Sequence, residues 1–181
     1  MSDLWVFGYG SLMWRPGFAF EEAFVGELEG YHRALCVYSH IYRGTAEKPG
    51  LVLGLDNGGR SMGMVFRVAA NACTEVLAYL REREQVTMVY LERIGSVRLL
   101  NEDGSDAGRV VEAVTYVADH SHAQYAGKLP MEDQVRIVSQ GHGRAGPNID
   151  YVLNTVDHLA EIDIEDAELF ALASRLRGTA K

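Results

Sequence analysis

The stretch Val6-Phe7-Gly8-Tyr9-Gly10-Ser11-Leu12-Met13-Trp14 runs an apolar segment into two glycines that flank a tyrosine, with a serine immediately after them. Leu4 to Tyr9 reads as a buried strand, because a short apolar run bounded by turn residues fits a sheet interior. Glycine at the end of such a strand permits a sharp reversal and close approach of backbone to a ligand, so successive N–H groups can converge as an anion-binding nest. The same residues also fit an ordinary strand-to-loop turn. The pattern is neither a dinucleotide fingerprint nor a P-loop.

Working outward, the first half of the chain continues as strands: Phe24 to Tyr38 with partial alternation, Leu51 to Leu55, and Met62 to Val68. Asp56-Asn57-Gly58-Gly59 between the last two predicts a hairpin, since these residues tolerate positive φ. Asn71 is placed to cap a helix running to about Arg83, with Val76, Leu77 and Leu80 on one face. Two strands follow, near Met88 to Leu100 and Arg109 to Ala118. Met131 to Gln140, Asn148 to Ile162 and Asp166 to Leu176 carry apolar residues at three- and four-residue spacing and read as helices. Strands first and helices later predict an α+β fold, a strongly curved sheet or small barrel with helices against it.

At 181 residues, 48% hydrophobic, with four prolines and no low-complexity tract, the chain is expected to form one domain over residues 1–181 without a linker or internal repeat. Net charge is −8, from 17 basic and 25 acidic residues, with no basic run, which argues against nucleic acid as a partner. No stretch has the length of apolar sequence a membrane span requires, and the start lacks a basic segment followed by an apolar run. Cys36 and Cys73 each sit in an apolar segment and read as buried free thiols, consistent with a reducing cytoplasm. The oligomeric state is open.

Helical geometry separates the two carboxylates of Tyr79-Leu80-Arg81-Glu82-Arg83-Glu84-Gln85. At about 100° per residue, Glu84 lies roughly 40° from Leu80, and Glu82 about 200° from it. Glu84 therefore points inward and Glu82 to water. Desolvation and the negative end of the helix dipole both disfavour a charged Glu84, which suits a proton-transfer group. The structural alternative is a terminal residue paired with Arg81 or a lysine.

The histidines carry less. His120 and His122 would share a face on a strand, but no third ligand stands at a convincing spacing, so a solvated turn is expected rather than a metal site. Ser11 follows its glycines instead of splitting them, so there is no nucleophile elbow of the Gly-x-Ser-x-Gly type. His142 reads as a loop residue and His158 as part of a helix surface.

Several motifs follow one another over nearly the whole chain: Val6 to Trp14, Tyr42-Arg43-Gly44-Thr45 with Pro49-Gly50, Gly63 to Arg67, Arg83-Glu84, Tyr125-Ala126-Gly127, and Gly146-Pro147-Asn148-Ile149-Asp150-Tyr151-Val152. Together, and in this order, they resemble the ChaC family of γ-glutamylcyclotransferases. The resemblance implies a γ-glutamylcyclotransferase-like mixed barrel with flanking helices and no metal or organic cofactor. It implies a lyase that converts glutathione, a small-molecule substrate, to 5-oxoproline and cysteinylglycine. It places the catalytic glutamate on Glu84, the substrate loop on Tyr9, Gly10, Ser11 and Leu12, and further pocket residues on Arg43 and Tyr125. The chain departs from the family at Ser39 and Tyr42, where members often carry an acidic residue and a histidine, and after Glu84, where Gln85-Val86 replaces a common Gly-Tyr. Other γ-glutamyl amino acids or γ-glutamylamines, or non-catalytic binding of a small molecule on the same fold, thus stay open alternatives.

Overall fold

The structure, a computed structural model, describes residues 2–179, and the chain divides into two compact units. The first comprises the chain up to Arg33 together with Leu55–Asp119; the second comprises Ala34–Gly54 and the chain from His120 onward. Five strands form a closed barrel: β1 (Leu4–Gly8), β2 (Glu22–Ser39), β3 (Gly50–Val68), β4 (Tyr90–Leu100) and β5 (Asp106–Ala118), in the order β1-β3-β2-β4-β5. The expected α+β class with a small barrel is what is found.

β1 lies antiparallel to β3, from Leu4 opposite Val68 to Gly8 opposite Met64, and parallel to β5 at Val6 opposite Val114. β4 and β5 form a long antiparallel pair from Tyr90 opposite Ala118, with a register shift between Arg98 and Leu100. β2 joins β4 antiparallel, with Gly26, Glu27 and Leu28 opposite Leu99, Arg98 and Val97.

The hairpin expected at Asp56 to Gly59 does not form; the runs on either side belong to one strand, β3. A hairpin requires the flanking runs to pair with each other, but β3 is paired to β1 on one side and β2 on the other. Gly58 and Gly59 do adopt positive φ, 89° and 72°, and the chain takes up this irregularity inside the strand, where His32 Nδ1 lies 2.9 Å from the Gly58 carbonyl oxygen.

Helix α1 (Cys73–Glu84) is preceded by Ala72, and no side chain caps it, so Asn71 is not the cap that the sequence led us to expect. Its inward residues Val76 and Leu80 pack with Val6, Leu12, Val68, Val114 and Tyr116 into the core of the first unit, flanked by Phe18, Leu77, Tyr79 and Tyr90. The periodic face predicted for this helix is therefore the buried one. Cys36 is buried as expected, but Cys73, in the first turn of α1, is only partly so.

In the second unit, α2 (Met131–Gln140), α3 (Asn148–Glu161) and α4 (Ala167–Thr179) pack on one another, burying Val138, Val152, Leu159, Leu172 and Leu176. A two-stranded ribbon, β6 (His142–Gly143) with β7 (Gly146–Pro147), links α2 to α3. No helix among the described residues is long and apolar enough to cross a membrane. At the start of α3, Asn148 is wholly buried; its Oδ1 accepts from Leu51 N at 2.7 Å, its Nδ2 donates to Leu51 O at 2.8 Å, and its own N–H donates to Gly141 O at 2.9 Å. Truncating this side chain strands a buried N–H and a buried C=O. Asn148→Ala is accordingly expected to lower the urea midpoint by the equivalent of about 2–4 kcal/mol with little change in slope. A midpoint within about 0.5 kcal/mol of the parent would show that the Leu51 groups find other partners.

Candidate active site

The loop after β1 is shaped by close packing. A Cβ on Gly63 would overlap the Gly8 carbonyl oxygen, and one on Gly8 would stand 2.8 Å from Leu12 Cβ, so glycine is required at both for the strand to end where it does. Ser11–Met13 then form a single 3₁₀ turn, closed by Met13 N to Gly10 O at 2.9 Å and Arg15 N to Ser11 O at 2.8 Å. Tyr9 and Leu12 are buried, Gly10 is half-buried and Ser11 is exposed.

Beneath the loop lies Arg33, itself buried, whose Nε donates to Tyr9 O at 2.6 Å and whose Nη2 donates to Met62 O at 2.5 Å and touches Met13 Sδ at 3.9 Å. The C=O and N–H of a trans peptide point in opposite directions, so drawing the Tyr9 carbonyl to the guanidinium turns the Gly10 N–H away from it.

Glu84 is the last residue of α1, and its side chain is 18% exposed, whereas Glu82 is open to solvent. Burial pushes the Glu84 carboxyl above the ordinary glutamate range, and the Arg83 guanidinium, with Nε 3.3 Å from Glu84 Oε1, pulls partly against it. The pairing with Arg81 that the sequence left open is not the one made. Arg81 instead clasps Glu92 on β4 through two bonds of 2.8 Å, which holds the Glu92 carboxyl below its usual range. Glu92 also accepts from the buried Tyr116 hydroxyl at 3.0 Å. Burial and then this bond, with smaller contributions from the Glu92 and Glu84 charges, push the Tyr116 phenol far above the ordinary tyrosine value.

Arg43 and Tyr125 belong to the second unit. Arg43 Nη1 donates to Ala145 O at 2.7 Å and Pro147 O at 3.2 Å, and its guanidinium carbon lies 5.4 Å from the Tyr151 ring centre, so its head holds the turn before α3. Ser39, one of the two departures, accepts from Arg43 N at 3.0 Å, a bond a carboxylate could also make; Tyr42 is exposed. Half-buried Tyr125 bridges to Val37 and stacks on His120 with ring centres 4.2 Å apart. His120 lies in a turn, and among the described residues no three His, Cys, Asp or Glu side chains are grouped to hold a metal.

A family model described as ChaC-like protein matches residues 4–178. The chain belongs to the ChaC-like family. Relatives of this ChaC-like chain include the glutathione-specific γ-glutamylcyclotransferase of Escherichia coli K12, 33% identical over 90% of this chain and 68% of the relative. Glutathione-specific γ-glutamylcyclotransferase 1 of Danio rerio is 31% identical over 98% of this chain and 91% of its own. The fold matches that of a solved yeast γ-glutamyl cyclotransferase specific to glutathione with a TM-score of 0.86, covering 98% of this chain and 97% of that one, at 22% identity.

For a ChaC-like chain, four polar side chains near the loop and α1 were not singled out from the sequence: Arg33, Arg81, Glu92 and Tyr116. Arg33 was detectable in principle, because it falls in phase with Leu35 and Val37 on an alternating strand and so points inward. The Arg81–Glu92 clasp and the Tyr116 hydroxyl beside it join three elements, and no local spacing signals them.

The raised Glu84 carboxyl carries a consequence for stability. Its folded-state pKa exceeds the unfolded one, so the folded chain holds this proton more tightly, and stability is lost as pH rises from the ordinary glutamate range through the raised value. Glu84→Gln, which cannot ionise, should be more stable than the parent at neutral pH and should lose this part of the pH dependence. Urea unfolding of both proteins from pH 4.5 to 7.5 measures it. Parallel curves for the two would mean that the buried carboxyl titrates normally.

Proposed function

We propose that this ChaC-like protein cleaves glutathione to 5-oxoproline and cysteinylglycine, with Glu84 as the group that moves the protons. The observation carrying this reading is a desolvated carboxylate at the end of α1, held by the same arginine that binds the loop after β1. The family and the glutathione-specific relatives support the substrate.

A γ-glutamyl amide contains its own nucleophile, so the enzyme has to fold the substrate, free the α-amine and stabilise the tetrahedral oxyanion. An α-ammonium with pKa near 8 loses its proton at neutrality for about 1 kcal/mol, within reach of one carboxylate whose pKa burial has raised. The amine attacks the γ-carbonyl carbon, closing the five-membered ring. Glu84 then delivers the proton to the departing amide nitrogen, the C–N bond breaks, and the ring nitrogen gives up its second proton, which the freed amine takes up. The Gly10 N–H, turned away from Arg33, and the N–H groups of Ser11 and Leu12, at the open start of the 3₁₀ turn, are the donors assigned to the glutamyl carboxylate or the oxyanion. Tyr9 contributes a buried wall, and Arg43 and Tyr125 are assigned to the substrate through the family resemblance. The reaction uses no step that calls for a metal. A reducing cytoplasm is the compartment we assign, where glutathione is abundant and Cys36 and Cys73 stay free.

Purified protein incubated with glutathione or with γ-glutamyl-alanine, with 5-oxoproline followed in each, tests the substrate; glutathione should be strongly preferred. Glu84→Gln should lower kcat by about a hundredfold or more with KM little changed, and Glu82→Gln should behave as the parent. Equal loss in the two variants, or an essential Glu82, would remove Glu84 from the mechanism.

A further inference from the structure

Resting on the assignment of Glu84 as the base, we propose that Arg83 is a positioning residue whose one guanidinium fixes the Glu84 carboxylate and the loop after β1 in a single arrangement. Nη1 donates to Arg15 O at 2.7 Å, to Pro16 O at 3.2 Å and to Tyr79 Oη at 2.9 Å. Nη2 donates to Ser11 Oγ at 2.9 Å, and Nε lies 3.3 Å from Glu84 Oε1. Every nitrogen of the fork is engaged. Its partners come from α1 itself and from residues 67, 68 and 72 positions earlier in the chain.

Two separable properties of arginine are used. The rigid planar fork supplies N–H donors at fixed angles to groups on two segments, a geometry that the compact ammonium of lysine does not reproduce. The positive charge favours the ionised form of Glu84 against the burial that disfavours it. The other groups around the carboxylate do not duplicate that charge. Arg81 on the same helix is neutralised by Glu92 of β4, and the Tyr116 phenol of β5 presents a neutral hydroxyl already donated to Glu92.

The test is the pH dependence of kcat/KM toward glutathione in the parent and in Arg83→Met and Arg83→Lys, with melting temperature measured beside it. Arg83→Met should lower kcat by about ten- to a hundredfold, more than it raises KM, because the loop donors and the base lose their common anchor. Its acidic limb should move to higher pH, since the carboxylate is needed ionised and has lost its cation. Arg83→Lys should return the limb toward the parental position while kcat stays reduced, as charge is restored and the fork is not. A merely structural arginine would lower the melting temperature and leave the limb in place, and that result overturns the proposal.

Should Arg83→Met not fold, Ser11→Ala and its combination with Arg83→Lys decide the question. Losses in kcat that are less than multiplicative support a shared anchor, and fully multiplicative losses refute it. Retained turnover in Glu84→Gln would sink the assignment of the base itself. An inactive Glu84→Gln beside unaltered Arg83 profiles would sink only the role given to Arg83.

Discussion

The parallel pairing of β1 with β5 at Val6 and Val114 is the constraint from which the first unit follows. β1 has only five residues, so it cannot wander; antiparallel to β3 on one side and parallel to β5 on the other, it is bound on both edges. Thr115 reinforces the seam by donating its hydroxyl to Phe7 O at 3.2 Å. Because Val6 also packs in the cluster that receives Val76 and Leu80 of α1, closing the barrel sets where the helix lies. The loop leaves from the end of this same strand, so one short segment positions both the N–H groups and the helix that ends in Glu84.

Around that helix end, the charged residues are sorted by partner. Arg81 is engaged by Glu92, and the carboxyl it clasps is held below its ordinary range. Arg83 is spent mostly on carbonyls and hydroxyls, which leaves its charge only partly used on the neighbouring Glu84. Two glutamates near one helix therefore have their acidities driven in opposite directions. Such a separation keeps a permanent anion beside a carboxyl that holds its proton to higher pH.

Much of the fold could be read from the sequence because the relevant signals are local. The apolar periods of Val76 and Leu80 and of Val152, Val156 and Leu159 coincide with buried faces, and the inward turn of Glu84 followed from its spacing to Leu80 alone. Gly58 and Gly59 show the limit: positive φ was correctly anticipated, but whether such a pair ends a strand or kinks it depends on which strands flank it, and that is decided by topology. The loop residues could be named from the resemblance, yet the reason Gly8 must be glycine is its contact with Leu12, four residues on, after a turn whose course the sequence does not specify. Arg83 was named only as part of the motif beside Glu84 and was given no role of its own, since its partners Ser11 and Pro16 lie far back in the chain.

Asn148 has an effect beyond holding α3 to β3. In an extended strand the N–H and C=O of one residue face the same way, as do those of the residue two further on. Leu51 gives both its groups to the Asn148 carboxamide, and Leu53 N gives its proton to the Tyr151 hydroxyl at 3.1 Å. Two side chains from one helical turn thus occupy the positions a neighbouring strand would take. A strand margin left open would offer a template on which another polypeptide could add by main-chain pairing. Here that margin is sealed by side chains, so the start of β3 has no main-chain valence left at Leu51 with which to recruit one.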